Sequence, residues 1–207
     1  MVRQLKSLYD CISPEAFDSG WSSEYVSRRG RLWEELYLLN INVYIIAETQ
    51  NSMASFGKIL FRNSYNTAVL GINKLAIDDQ YSITLNRFKR EIRQNLRFSE
   101  HIKELDSKLK EIDFNKKFKI IKSVYYLERN LSIAHSPEQI TEHGIITQAE
   151  LSRQKEALEN LENARNLIIQ LYDALRLKGT SAAGLPDKVN KGEIASTLNN
   201  LKNEGVI

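Results

Sequence analysis

Apolar residues recur at three- and four-residue steps along most of this chain, the spacing of helices that bury one face. The stripe from Leu32 to Ile46 is one such run. Long helices are predicted over about 30–50, 52–77, 84–96, 99–112 and 115–134, and from the capping box at Thr147–Glu150 to Gly179. Alternating β-branched runs typical of strands are absent from the sequence. The pattern predicts an all-α fold, an up-and-down bundle of long helices with short connections.

The same pattern divides the chain into three parts. Residues 1–29 are predicted to be an N-terminal helical extension, in which Ser13-Pro14-Glu15 marks a helix start. Residues 30–178 form the helical domain. Residues 179–207 begin with linker composition, Gly179 to Pro186, and are predicted to be a flexible tail with a weak helix over about 191–203.

The composition restricts the compartment and the kinds of site that we expect, but it indicates no function. The chain has 29 Lys and Arg and 26 Asp and Glu, and a net charge of +3 neither indicates nor excludes a nucleic-acid partner. A single cysteine rules out an intramolecular disulfide, and with three scattered histidines it argues against structural zinc. Neither a signal peptide nor a membrane span is apparent. We therefore expect a cytoplasmic protein without membrane contact, metal or cofactor.

One segment has the residue types needed for chemistry, Leu-Glu-Arg-Asn-Leu-Ser-Ile-Ala-His-Ser at 127–136. Arg129 is followed directly by Asn130, and His135 comes six residues after the arginine, where Ser136-Pro137 is predicted to end a long amphipathic helix. Ordinary explanations exist for each residue. His135 could be a cation at a helix C-terminus, and Arg129 could pair with Glu128 or Glu138 on the surface.

This segment resembles the signature of the HEPN superfamily (higher eukaryotes and prokaryotes nucleotide-binding). In that family an arginine, usually followed by a polar residue, precedes a histidine near the end of a helix. Residues 64–85, where a long helix ends in Asp78-Asp79 and a short basic helix follows, are similar to the abortive-infection branch. The resemblance implies a homodimeric RNA-cleaving or RNA-binding module, often a toxin or phage-defence effector with an antitoxin or regulatory partner. A non-catalytic module that binds RNA, a nucleotide or a protein is the alternative.

The chemistry of an RNA-cleaving site fits these residue types. Histidine can exchange protons near neutral pH, and the charged guanidinium of Arg129 can stabilise the phosphate in the transition state. His135, Arg129 and Asn130 are thus the catalytic candidates, with an orienting role for Asn130, and Glu128 and Ser132 are candidate orienting residues. Six helical steps turn about 240° and rise about 9 Å, so Arg129 and His135 share no helical face. Two chains facing each other would place two of each residue around one cleft, as the family's dimeric site implies.

A basic helix upstream supplies candidate contacts to RNA. Arg87, Arg90 and Arg93 lie within the run from Arg87 to Arg97. Such a run is more often a solvated helix face than an RNA track, so both interpretations stay open. Several tyrosines, among them Tyr65, Tyr125, Tyr126 and Tyr172, are predicted to belong to the core or to an interface and not to a base-stacking platform.

Overall fold

The computed structural model describes residues 11–52, 54–76, 84–134, 148–175, 177 and 191–207, and for 127–134, 148–154 and 191 the backbone alone. Across these residues the chain forms helices and no strand, which confirms the predicted all-α class. The helices are α1 (Pro14–Asp18), α2 (Trp21–Thr49), α3 (Ser55–Ala76), α4 (Leu85–Asn95), α5 (Ser99–Glu111), α6 (Phe114–Ala134), α7 (Gln148–Ala174) and α8 (Lys191–Asn203).

The four longest helices, α2, α3, α6 and α7, pack side by side around a shared apolar core. Helix α2 contacts α3 and α7, and α6 contacts the same two helices. The Lys74 Nζ of α3 lies 2.8 Å from the Glu35 Oε1 of α2. The Lys117 Nζ of α6 donates to the Gln170 Oε1 of α7 over 2.6 Å. The start of α6 is therefore level with the last turns of α7, and these two helices run antiparallel.

Tyr25 joins the start of α2 to the end of α7. Its side chain is fully buried, its hydroxyl donates to the Leu175 carbonyl (3.4 Å), and it accepts from the Leu177 amide (3.0 Å). The ring stacks on Phe88 of α4 with centroids 5.2 Å apart. Helices α2 and α6 thus begin at the end of the molecule where α7 finishes, which we call the first end. The opposite end, where α2 finishes and α3 begins, is the second end.

Helix α2 passes through the boundary predicted between residues 29 and 30. It begins at Trp21, and Trp21, Tyr25 and Arg29 are buried in line with Leu32 and Leu36. Four-residue steps continue the buried row upstream, although serines and arginines between its members make this stretch look polar. The part of the predicted extension from Trp21 onward is therefore packed into the helical domain.

The segment before α2 is also tied to the first end. The predicted helix start is confirmed: the Ser13 hydroxyl accepts from the Ala16 amide at 3.1 Å, and Pro14 opens α1. Backbone bonds join this segment to the turn between α4 and α5, from the Ser13 amide to the Asn95 carbonyl (2.9 Å) and from the Arg97 amide to the Cys11 carbonyl (2.7 Å). Residues 1–10 of the predicted extension lie outside the described residues.

The predicted tail contains a docked helix. Helix α8 matches the weak helix predicted over 191–203; Leu198 is buried in it, and the Lys202 Nζ lies 2.7 Å from the Glu48 Oε2 at the end of α2. Helix α8 therefore packs at the second end. The helix stop predicted at Ser136-Pro137 and the linker predicted from Gly179 to Pro186 lie outside the described residues.

Candidate nucleic-acid interface

Positive charge is concentrated in the middle of the chain. Residues 85–122 hold twelve Lys and Arg against six Asp and Glu, a net charge of +6. Since the whole chain carries +3, the remaining residues carry 17 positive and 20 negative side chains, a net charge of −3. Helices α4 and α5 and the first half of α6 make up this segment. A polyanion would therefore be attracted to this part of the surface although the net charge is small.

The three arginines predicted to bind RNA lie on α4 and differ in their surroundings. The Arg87 Nε lies 3.2 Å from the Glu91 Oε1, and Glu91 also pairs with Arg28 of α2. The guanidinium of Arg93 donates two hydrogen bonds to the carboxylate of Asp106 on α5, over 3.0 Å from Nε to Oδ1 and 3.1 Å from NH2 to Oδ2. Arg90 is exposed and has no ion pair among the described residues. Among these three, Arg90 is thus the arginine whose charge is most available to a ligand.

The pairing of Arg93 with Asp106 holds α4 and α5 together at the protein surface. The hydrogen bond that Arg93 donates to Asp106, and then the negative charge of Asp106, raise the pKa of Arg93 above its ordinary value. Its forked contact fixes the angle of the side chain, and Arg93 also lines a cleft between α4, α5 and the start of α6.

A cleft of about 510 Å³ lies between α4, α5 and the start of α6. Its lining includes four basic side chains and two acidic ones, and Leu109, Phe114 and Asn115 complete it: the charged residues are Lys89, Arg93, Lys110, Lys116, Asp106 and Asp113. The Lys89 ammonium sits 4.5 Å from the centre of the Phe114 ring and donates to the Asn115 Oδ1 over 3.1 Å. The Lys89 ammonium therefore lies over the apolar ring of Phe114, and the lining of the cleft has a net positive charge.

A row of exposed side chains runs from this cleft along α6. Lys116, Lys119, Ser123 and Tyr126 follow one another at three- and four-residue steps, and all four are exposed. Tyr126 is 53% exposed, so this tyrosine is not part of the core, whereas Tyr65, Tyr125 and Tyr172 are buried as predicted. The exposed row therefore leads from the basic cleft toward the last turns of α6.

The predicted catalytic and orienting residues fall in those last turns. Arg129 and Asn130 lie within α6, whose backbone is helical to Ala134, and Asn130 is seven residues after Ser123 in the exposed row. Glu128 and Ser132 are seven residues after Ile121 and Tyr125, which are buried, so their backbone register differs from that of Asn130. His135 lies outside the described residues. The structure thus places the arginine end of the motif, and the position of its histidine stays a prediction.

Sequence reasoning missed the cleft and the lysines that border it. The available signal was the lysine spacing at the start of α6, Lys116, Lys117, Lys119 and Lys122, following Lys108 and Lys110 on α5. It was not recognised because lysine runs on predicted helices are usually solvated. The cleft also lies beside the turn between α5 and α6, where Asp113 has a φ of 52° and Lys89 of α4 contacts Phe114 and Asn115.

Comparisons with protein-family models, curated proteins and solved structures found no significant match to this chain. Among the described residues, no helix is long and apolar enough to cross a membrane. The same part of the chain brings together no group of three histidine, cysteine, aspartate or glutamate side chains that could hold a metal ion.

Proposed function

We propose that this protein is a metal-independent endoribonuclease that binds RNA along the basic surface of α4 to α6 and cleaves it at Arg129 and His135. The observation that carries the proposal is the placement of the motif: the helix that bears Arg129 and Asn130 also bears the exposed row leading from the cleft. A strand bound at Lys116 and Lys119 would be directed along α6 toward its last turns, past the uncharged Ser123. The resemblance of the motif to HEPN domains supports the same assignment.

The reaction needs a proton acceptor, a proton donor and a stabiliser of phosphate charge. In the proposed mechanism, His135 accepts the proton of the 2′-hydroxyl, and the 2′-oxygen attacks the adjacent phosphorus. The bond from phosphorus to the 5′-oxygen breaks, and that oxygen takes a proton from the partner's histidine. The guanidinium of Arg129 stabilises the added negative charge of the phosphate, and Asn130, Glu128 and Ser132 orient the reacting groups. The products are a 2′,3′-cyclic phosphate and a 5′-hydroxyl.

Cleavage by this route persists in chelator, because the nucleophile belongs to the RNA and no metal-bound water is required. We expect purified protein with excess EDTA to cut single-stranded RNA and to leave cyclic phosphate ends, detected by mass spectrometry. An RNA of the same sequence with 2′-O-methyl groups serves as the matched control and should stay intact. Activity that depends on added divalent metal, or equal cutting of both RNAs, would contradict the mechanism.

The alternative is a binding module that holds RNA without cutting it. The basic cleft and the exposed row support RNA binding under both proposals, because neither requires a reaction. The same assay separates them: an intact RNA that is nevertheless bound favours the module. In either case the resemblance suggests a cytoplasmic defence or toxin protein, whose activity an antitoxin or regulatory partner would restrain.

The proposed mechanism requires two copies of the chain, and the exposed face of α6 suggests where they meet. Tyr126 is 53% exposed and comes three residues before Arg129. Burying this side chain across a twofold axis would stabilise a dimer through apolar contact. It would also bring two copies of the motif close together.

We therefore expect a dimeric mass by analytical ultracentrifugation at micromolar concentration and a shift toward monomer for Tyr126→Glu. Phe17→Glu is the matched control, since Phe17 is 51% exposed on α1, which packs against α2. That variant should keep the dimeric mass. A monomeric wild-type protein, or an equal effect of the two substitutions, would count against dimerisation through α6.

A further inference from the structure

Two lysines that border the cleft between α4, α5 and the start of α6 are not paired with an acidic side chain in the described part of the chain. Lys110 and Lys116 are exposed, border the cleft, and form no ion pair with any described residue. Of the two carboxylates in the lining, Asp106 is already bound by Arg93. The lining has four positive and two negative side chains, a net charge of +2. An anion entering the cleft would therefore meet unpaired ammonium groups.

The start of α6 adds a second reason to expect an anion. The first amides of a helix have no carbonyl partner within the helix, and they give this end a partial positive charge. The first turn of α6 contains no acidic side chain and includes Lys116 and Lys117, and the exposed Asp113, which directly precedes the helix, offsets only part of that charge. A bound anion would offset both the helix end and the lysines.

The shape and lining favour the sugar-phosphate backbone over a base. Leu109 and Phe114 are buried, and the Lys89 ammonium covers the Phe114 ring, so the cleft offers little apolar surface for stacking. A volume of about 510 Å³ is far larger than one phosphate group and is open to the exposed row on α6. An extended polyanion suits such a cleft better than a small enclosed metabolite.

We propose that this cleft is an anchor for the phosphates of a single-stranded RNA whose cleavage site lies at the other end of α6. The proposal rests on the proposed function in taking RNA as the ligand. Thirteen helical steps separate Lys116 from Arg129, a distance of about 20 Å. At the 3.4 Å rise of a stacked strand this span is roughly six nucleotides. Anchoring therefore requires a substrate that extends about six nucleotides from the cut.

The test measures binding without cleavage. Wild-type protein and variants are titrated in EDTA with a 12-nucleotide and a 4-nucleotide RNA, both carrying 2′-O-methyl groups, by fluorescence anisotropy. Lys116→Glu should weaken binding of the longer RNA at least threefold and lower the slope of log affinity against log salt by about 0.7, the value for one lost phosphate contact on a single strand. It should leave binding of the shorter RNA nearly unchanged, because a 4-nucleotide RNA bound at the last turns of α6 does not reach Lys116.

Two further variants make the result specific. Arg31→Glu is the matched control, because Arg31 is exposed on α2, has no ion pair among the described residues, and lies on a helix packed mainly against α3 and α7. It should bind like the wild type. Asp113→Asn removes a negative charge from the cleft while asparagine tolerates the positive φ, so it should bind the longer RNA more tightly.

The outcomes separate this proposal from the proposed function. Equal loss of affinity in Lys116→Glu and Arg31→Glu, or no dependence on RNA length, would overturn the anchor. A wild-type protein that binds no RNA would overturn it as well. A protein that binds the longer RNA through Lys116 but never cuts cleavable RNA would leave the anchor standing and remove the ribonuclease. Circular dichroism of each variant verifies that the fold is intact.

Discussion

Replacing His135 with alanine is expected to lower the rate of RNA cleavage at least a hundredfold, and Arg129→Ala is expected to do the same. Loss of a general base or of a charged transition-state stabiliser typically costs on the order of a hundredfold or more in rate. His135 directly precedes the helix stop predicted at Ser136-Pro137, so we expect its side chain to reach solvent and its replacement to disturb little packing. Single-turnover cleavage assays with saturating RNA measure the effect on the chemical step.

A second, more conservative substitution is needed at Arg129. Its position in α6 is four residues after the buried Tyr125, so Arg129→Ala could also disturb packing. Arg129→Lys keeps the positive charge but removes the fork that contacts two phosphate oxygens, and it should lose most of the activity. Asn130→Ala should be milder, since an orienting role is proposed for Asn130. Thermal unfolding of each variant separates lost chemistry from lost structure. If His135→Ala cuts RNA at the parental rate, the proposed mechanism is wrong.

Tyr25→Ala is expected to produce the largest loss of stability, about 3–5 kcal/mol in the free energy of unfolding. The substitution empties a fully buried site between Trp21 and Phe88, whose ring centroids lie 5.5 Å and 5.2 Å from that of Tyr25. It also removes the hydroxyl that accepts from the Leu177 amide. Urea unfolding followed by circular dichroism measures the change, and the melting temperature should fall by about 10 °C.

Two companion variants divide that loss into its parts. Tyr25→Phe keeps the ring but leaves the Leu177 amide without its acceptor, and it should cost about 1–3 kcal/mol. Phe17→Ala is the control for an exposed aromatic ring and should change stability by about 0.5 kcal/mol or less. A Tyr25→Ala protein as stable as the parent would show that α2, α4 and α7 do not depend on this contact.

Apolar spacing in the sequence was enough to predict most of the helices. The rows through Leu32 and Leu36 in α2 and through Ile121 and Tyr125 in α6 are buried, because burial of a continuous stripe outweighs individual polar residues. The start of α2 at Trp21 was missed because the polar residues between Trp21 and Leu32 hid the same periodicity.

The surface contacts could not be predicted in the same way. Arg93 and Asp106 are thirteen residues apart on separate helices, and their pairing depends on the angle between α4 and α5. That angle depends on packing and on the turns at either end of α5, not on local propensity. The motif from Arg129 to His135 was recognisable from its residue types, but its surroundings required the fold. Charge segregation over 85–122 was present in the sequence and was hidden by the small net charge.

Helix α8 packs against the second end of the molecule and is covalently connected to it as part of the same chain. Leu198 of α8 is buried and Lys202 pairs with Glu48 of α2, and beyond α8 the Ile207 Cα would lie 3.2 Å from a Cβ at Gly57. Because α8 belongs to the same chain, it is held near this site by covalent connection. A partner that covers the end of α2 would therefore compete with a segment of the protein itself.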